Sequence, residues 1–214
     1  DELLSSKDYV DPSFVSDVRY SLAIFYTLQG LPTDSLTPFL DLTRQDQRAA
    51  LAFAQEVAFL QERLMAKPDI SARLYALIAS TVPESRQGYE SQSLYIRSLW
   101  KYRFFRTLSS NPPAAFDSSP EGASLFSQIA DATGAIVTMF PTRDKWPIAE
   151  RQDVDKVDAA TEEAMRLFIN QMHNLGVETK DNAYFELSSR VYTDYTKVFP
   201  YSGAAYTLAY EHAL

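Results

Sequence analysis

The stretch TRQDQRAALAFAQEVAFLQERL (Thr43–Leu64) decides the fold class. Ala50, Phe53, Ala54, Val57, Leu60 and Leu64 recur at intervals of three and four residues, which is the period of one α-helical face. Alanines at 49, 50, 52, 54 and 58 favour the helix and let a neighbouring helix approach closely. Thr43 is expected to cap this helix, with Asp46 placing negative charge in its first turn. Pro68 ends it, because proline cannot continue the hydrogen-bond ladder.

The same grammar extends in both directions. Towards the N-terminus, Asp11-Pro12 opens a helix whose apolar face is Phe14, Val18, Leu22 and Phe25, with Gly30 and Pro32 as its stop. A short helix is expected over 34–42, interrupted by Pro38. Towards the C-terminus, Asp69 caps a helix over 70–80, and a long helix runs over 87–108. Further helices are expected over 123–132 with Gly134 as a stop, over 153–175 with Gly176 past its end, over 181–199, and over 203–214. The 153–175 helix turns Val157, Ala160, Ala164, Leu167 and Phe168 inward. AIVTMF (135–140) has strand character but nothing to pair with, so it reads as loop or helix extension. The sum is an all-α chain, an irregular bundle of seven to nine helices or two small up-and-down bundles. The proline- and serine-rich stretch 109–122 separates a first half (1–108) from a second (123–214), and the two halves can still share one core.

Composition narrows function. A net charge of −8 over 214 residues repels phosphate backbones, so nucleic acid is not an expected partner. With no cysteine, thiolate chemistry and zinc–thiolate sites are excluded, and an extracytoplasmic compartment, periplasmic or lumenal, is favoured over the cytoplasm. The chain starts at Asp1 without Met, as a processed or trimmed protein would, and contains no apolar run of the ~18 residues a membrane span needs. It is read as soluble.

Catalytic signatures are sparse. There is no phosphate loop, nucleophile elbow or HExxH pair. Ser98-Leu99-Trp100-Lys101 matches Ser-x-x-Lys, but the companion Lys-Thr-Gly and Ser-Asp-Asn motifs are missing, and a helix serine beside a surface lysine is the preferred reading. No glutamate has histidine three residues on, and Asp153, Asp155 and Asp158 open a helix rather than a calcium loop, so no metal or other cofactor is expected. His173 reads as a histidine at a helix C-terminus. Asp155, Asp158 and Glu162 read as one solvated helix face or, alternatively, a docking face for a basic partner.

Two stretches are candidates for binding. LYIRSLWKYRFFRTL (94–108) carries Arg97, Trp100, Lys101, Tyr102, Arg103 and Arg106 in an otherwise acidic chain. Because it is apolar all round, the preferred reading is a core helix. Leu99, Trp100 and Phe104 should then be buried against the first half, and removing Arg103 or Arg106 should cost little unless either is a buried ion-pair partner. The second stretch is the tyrosine-rich C-terminal third, with Tyr192, Tyr195, Tyr201 and Tyr206 as a partner surface. The leading expectation is a non-catalytic binding or structural subunit with a protein partner. A small-molecule sensor or carrier, with Trp100, Tyr102 and Arg103 lining its pocket, is the alternative. An enzyme working through Asp, Glu and Tyr is the second alternative.

Overall fold

The computed structural model describes residues 12–109, 120–147, 151 and 154–213. The described residues are all-α. Among the described residues nine α-helices follow one another as α1 (Pro12–Leu28), α2 (Thr37–Leu42), α3 (Gln47–Arg63), α4 (Pro68–Thr81), α5 (Arg86–Ser109), α6 (Pro120–Met139), α7 (Val154–Thr179), α8 (Asn182–Val198) and α9 (Gly203–Ala213), with a 3₁₀ turn at Phe140–Lys145. Among them no helix is long and apolar enough to cross a membrane. Contacts divide the chain into two compact units, Asp1–Leu74 and Tyr75–Leu214, and the division falls within α4. The proline- and serine-rich stretch lies inside the second unit, and its residues 110–119 are outside those described.

In the first unit α1 and α2 pack on α3. Tyr26, Phe39 and Phe53, one from each helix, form an aromatic triangle with centroids 5.2–5.7 Å apart. The Tyr26 hydroxyl donates to the Pro32 carbonyl, which settles the one polar atom of that cluster. Phe53, Ala54, Val57 and Leu60 are buried as their spacing requires, whereas Leu64 at the helix end is exposed. The cap is corrected: Asp46, not Thr43, precedes the first turn of α3 and accepts from the Ala49 amide, while Thr43 closes α2. Arg44 and Gln45 take left-handed conformations between them, within the four-residue turn 43–46 that joins α2 to α3.

The face of α1 is a larger correction. Val18, Leu22 and Phe25 do not point into the core; they are 50%, 38% and 56% exposed. The helix buries Ala23, Tyr26 and Thr27 instead, and Arg19 pairs with Glu56 of α3 at 2.6 Å.

In the second unit α7 and α8 form a hairpin, with α6 against α8 and α5 against α6 and α7. Gln92 of α5 donates to the Ala132 carbonyl of α6 at 2.8 Å, and Ser188 of α8 to the Ile169 carbonyl of α7 at 3.0 Å. Neither expected glycine stop operates. Helix α6 runs through Gly134 to Met139, so 135–139 is helix extension. Helix α7 runs through Gly176 to Thr179, where Lys180 turns left-handed and Asp181 caps α8. Gly176 is a packing residue: a β-carbon there would stand 2.7 Å from Cζ of Phe185. The inward face of α7 is Thr161, Met165, Phe168, Ile169, Met172 and Leu175, rotated from the expected one. Leu167 is 58% exposed and Ala160 lies on the surface. His173 is nearly two turns from the helix end and packs on Phe185.

Candidate functional site

The six residues singled out on α5 part company. Arg97 is exposed, while Trp100, Lys101, Tyr102 and Arg106 are half-buried. Arg103 is buried, its guanidinium 4.4 Å from the Phe126 ring centre and 5.6 Å from that of Trp100. Trp100 meets Phe126 of α6 and Phe168 of α7 edge to face. Phe126 in turn meets Tyr184 of α8. Trp100 and Arg103 are thus members of an aromatic core cluster, which is the reading the all-round apolar pattern favoured. The ring partners described for Trp100, Phe126 and Phe168, belong to helices of the second half rather than to the first half where they were expected, and Phe104 is 59% exposed rather than buried.

The tyrosines also separate. Tyr195 is fully buried against Phe199 and donates to Oε1 of Glu162 at 2.9 Å; burial and that carboxylate raise its pKa. Tyr192 is half-buried, whereas Tyr201 and Tyr206 stand almost wholly in solvent. The four do not form one surface patch.

The acidic residues of α7 are where the second unit's polar contacts converge. Asp158 is half-buried and accepts from Tyr89 of α5 at 2.9 Å and from Arg143 of the 3₁₀ turn, which also lies over the Phe140 ring. The Thr161 hydroxyl donates to the Val157 carbonyl at 2.8 Å and accepts from the Ser93 hydroxyl of α5 at 3.0 Å. Glu162 accepts from Tyr195 and from Ser202, whose Oγ also takes the Ala204 amide at the start of α9. Burial, followed by the Asp158 charge, pushes the Tyr89 hydroxyl well above the ordinary tyrosine range. The expected solvated face therefore holds only for Asp155; Asp158 and Glu162 tie α5, the 3₁₀ turn, α8 and α9 to α7.

Two further surface features stand out among the described residues. An open groove of about 540 Å³ is lined by Val82, Pro83, Glu84, Ser85, Lys145, Trp146 and Pro147, and contains none of the residues anticipated from the sequence. Trp146 itself is spent structurally, donating to the Glu84 carbonyl at 2.8 Å. The other feature is the outer face of α1, where Val18, Leu22, Phe25 and Leu28 lie in solvent beside Leu31. The first three, together with Phe14, whose side chain lies outside those described, form the helical face expected in the core. Periodicity gives the face but not its direction when both sides of a helix carry large apolar residues, as α1 does with Tyr26 and Ile24. Among the described residues, no group of three or more His, Cys, Asp or Glu side chains gathers to hold a metal ion.

Comparison with known proteins returned no relative: no protein-family model, no curated protein and no solved structure matches this chain.

Proposed function

We propose that this chain is a non-catalytic helical binding module that works through protein–protein contact, with the outer face of α1 as its contact surface. The observation that carries the reading is the run of Val18, Leu22, Phe25 and Leu28, 38–59% exposed on one 17-residue helix. Scattered exposed apolar residues need no explanation, but a contiguous apolar stripe on a surface helix marks an interaction site. Its spacing suits a partner helix laid along it. The fate of the titratable groups supports the non-catalytic part: Tyr89 and Tyr195, with raised pKa values, are 1% and 0% exposed and committed to carboxylates that hold helices together.

Photo-crosslinking from Leu22 in cells that make the protein tests this reading. Polypeptides captured at Leu22, absent when Phe25 is changed to Asp and absent from an equivalent probe at Tyr206, are the expected result. No polypeptide captured at Leu22 overturns it.

The groove beside Trp146 supports a second reading, a small-molecule carrier, since its volume falls in the ~300–1,000 Å³ range of ligand sites. A ligand screen by thermal shift, with Pro147→Asp as the blocked variant, distinguishes it.

A further inference from the structure

We infer that the groove beside Trp146 takes a small zwitterion, an apolar amino acid, with Lys145 facing its carboxylate and Glu84 its ammonium group. The inference rests on the carrier reading given above and names the ligand class. The groove lies between two turns of the second unit. Val82, Pro83, Glu84 and Ser85 lead into α5, and Lys145, Trp146 and Pro147 end the 3₁₀ turn.

Both walls are held before any ligand arrives. The Ser85 amide donates to the Val82 carbonyl at 3.0 Å, and the Trp146 amide to the Arg143 carbonyl at 3.1 Å. Arg151 Nε donates to the Trp146 carbonyl at 2.9 Å, and the indole N–H joins one wall to the other through the Glu84 carbonyl. Pro83 and Pro147 fix their own φ angles. A groove formed in advance loses little binding energy to ordering.

Side-chain chemistry then selects the ligand. Ser85 Oγ is committed, donating to the Val82 carbonyl at 2.8 Å and accepting from the Gly88 amide at 3.0 Å, and so is the Trp146 N–H. Among the lining side chains that leaves Glu84 and Lys145 as the polar groups open to a ligand, beside apolar Val82, Pro83, Trp146 and Pro147. Both are exposed. Among the described residues neither side chain enters an ion pair or a hydrogen bond, with the other or with a third group. A monoanion in the groove meets Glu84, and a monocation meets Lys145. A neutral apolar molecule takes water from both and replaces it for neither. A molecule with both charges and an apolar side chain suits all three features. Because both charges stand in solvent, each contact changes affinity a few-fold, and Kd is on the order of 1 mM.

NMR titration of the whole 214-residue chain with L-phenylalanine, hydrocinnamate and phenethylamine tests this. The last two keep the apolar ring and carry one charge each. The chain has two tryptophans, so the Trp146 indole N–H resonance is read against that of Trp100. Expected is a saturable shift of the Trp146 resonance by L-phenylalanine, with each single-charge compound about threefold weaker or worse. Lys145→Met should bring L-phenylalanine down to the affinity of phenethylamine, and Glu84→Gln should bring it down to that of hydrocinnamate. No shift by L-phenylalanine up to ~20 mM, equal affinity for a single-charge compound, or unchanged L-phenylalanine affinity in either variant each overturns the zwitterion site. A thermal-shift ligand lost in Pro147→Asp while L-phenylalanine stays silent removes this inference alone and leaves the carrier reading standing.

Discussion

The Tyr89 hydroxyl donates to Oδ1 of Asp158 across 2.9 Å, although the two residues are 69 positions apart. Arg143 takes the other carboxylate oxygen, so one aspartate joins α5, α7 and the turn that precedes α7. Removing it strands a buried phenol and a half-buried guanidinium. Asp158→Ala should therefore cost about 2–3 kcal/mol in urea melts, the scale of an unsatisfied buried partner. Asp155→Ala, at an exposed position in the first turn of α7, should cost under about 0.5 kcal/mol. Equal losses for the two variants would return Asp158 to the solvated face.

Alkaline stability should carry the signature of Tyr89. Its folded pKa is raised by burial and by Asp158, so the native state holds the proton after the unfolded chain has begun to release it at about pH 10. The stabilisation is complete below pH 10 and declines as pH rises beyond it, by up to ~1.4 kcal/mol per pH unit for this one group. Tyr26, Tyr95, Tyr184 and Tyr195 are raised as well and add to the decline. Urea melts at pH 9, 10 and 11 should show a shallower decline for Tyr89→Phe than for the parent chain. Identical slopes would contradict the assignment.

Gly176 should not tolerate a methyl group. Gly176→Ala drives a β-carbon into the Phe185 ring and should cost about 1–3 kcal/mol. Phe185→Leu in the same chain should recover part of that loss, a coupling that a double-mutant cycle measures directly. If Gly176→Ala were neutral or stabilising, as at an ordinary helix position, the close packing of α7 on α8 would be wrong.

Lys180 should gain from the opposite change. It joins α7 to α8 at φ 58°, a conformation that disfavours any residue with a β-carbon. Lys180→Gly relieves that strain and loses some through the freer unfolded chain, for a net gain of up to ~1 kcal/mol in a thermal or urea melt. Destabilisation would show that the lysine side chain contributes more than its backbone costs.

On α5, Trp100→Ala should cost about 3–4 kcal/mol, because the indole packs between Phe126 and Phe168. Arg103→Ala should cost about 1–2 kcal/mol through lost cation–π and stem packing, more than a surface arginine would. Phe104→Ala, with more than half of its surface in water, should cost about 1 kcal/mol or less. A ranking with Phe104 first would restore the sequence-based burial of that residue.

Local rules written in the chain determined the helical class and most helix boundaries. Proline positions, capping aspartates and the three- and four-residue apolar spacing act within a turn or two, so they can be read without knowing the neighbours. The helix expected over 181–199, observed as Asn182–Val198, and the one expected over 87–108, observed as Arg86–Ser109, are examples. Which way each helix faces depends on what stands beside it, and that is settled by packing between residues far apart in the chain. The α1 stripe was legible as a face but not as an outward one, because the burial of Tyr26 depends on Phe39 and Phe53. Gly176 carries the local mark of a helix stop, yet Phe185 across the hairpin makes it a contact point. Asp158 and Glu162 have the spacing of a solvated face; only the tertiary structure brings Tyr89, Arg143, Tyr195 and Ser202 to them and turns surface charge into the joint between helices.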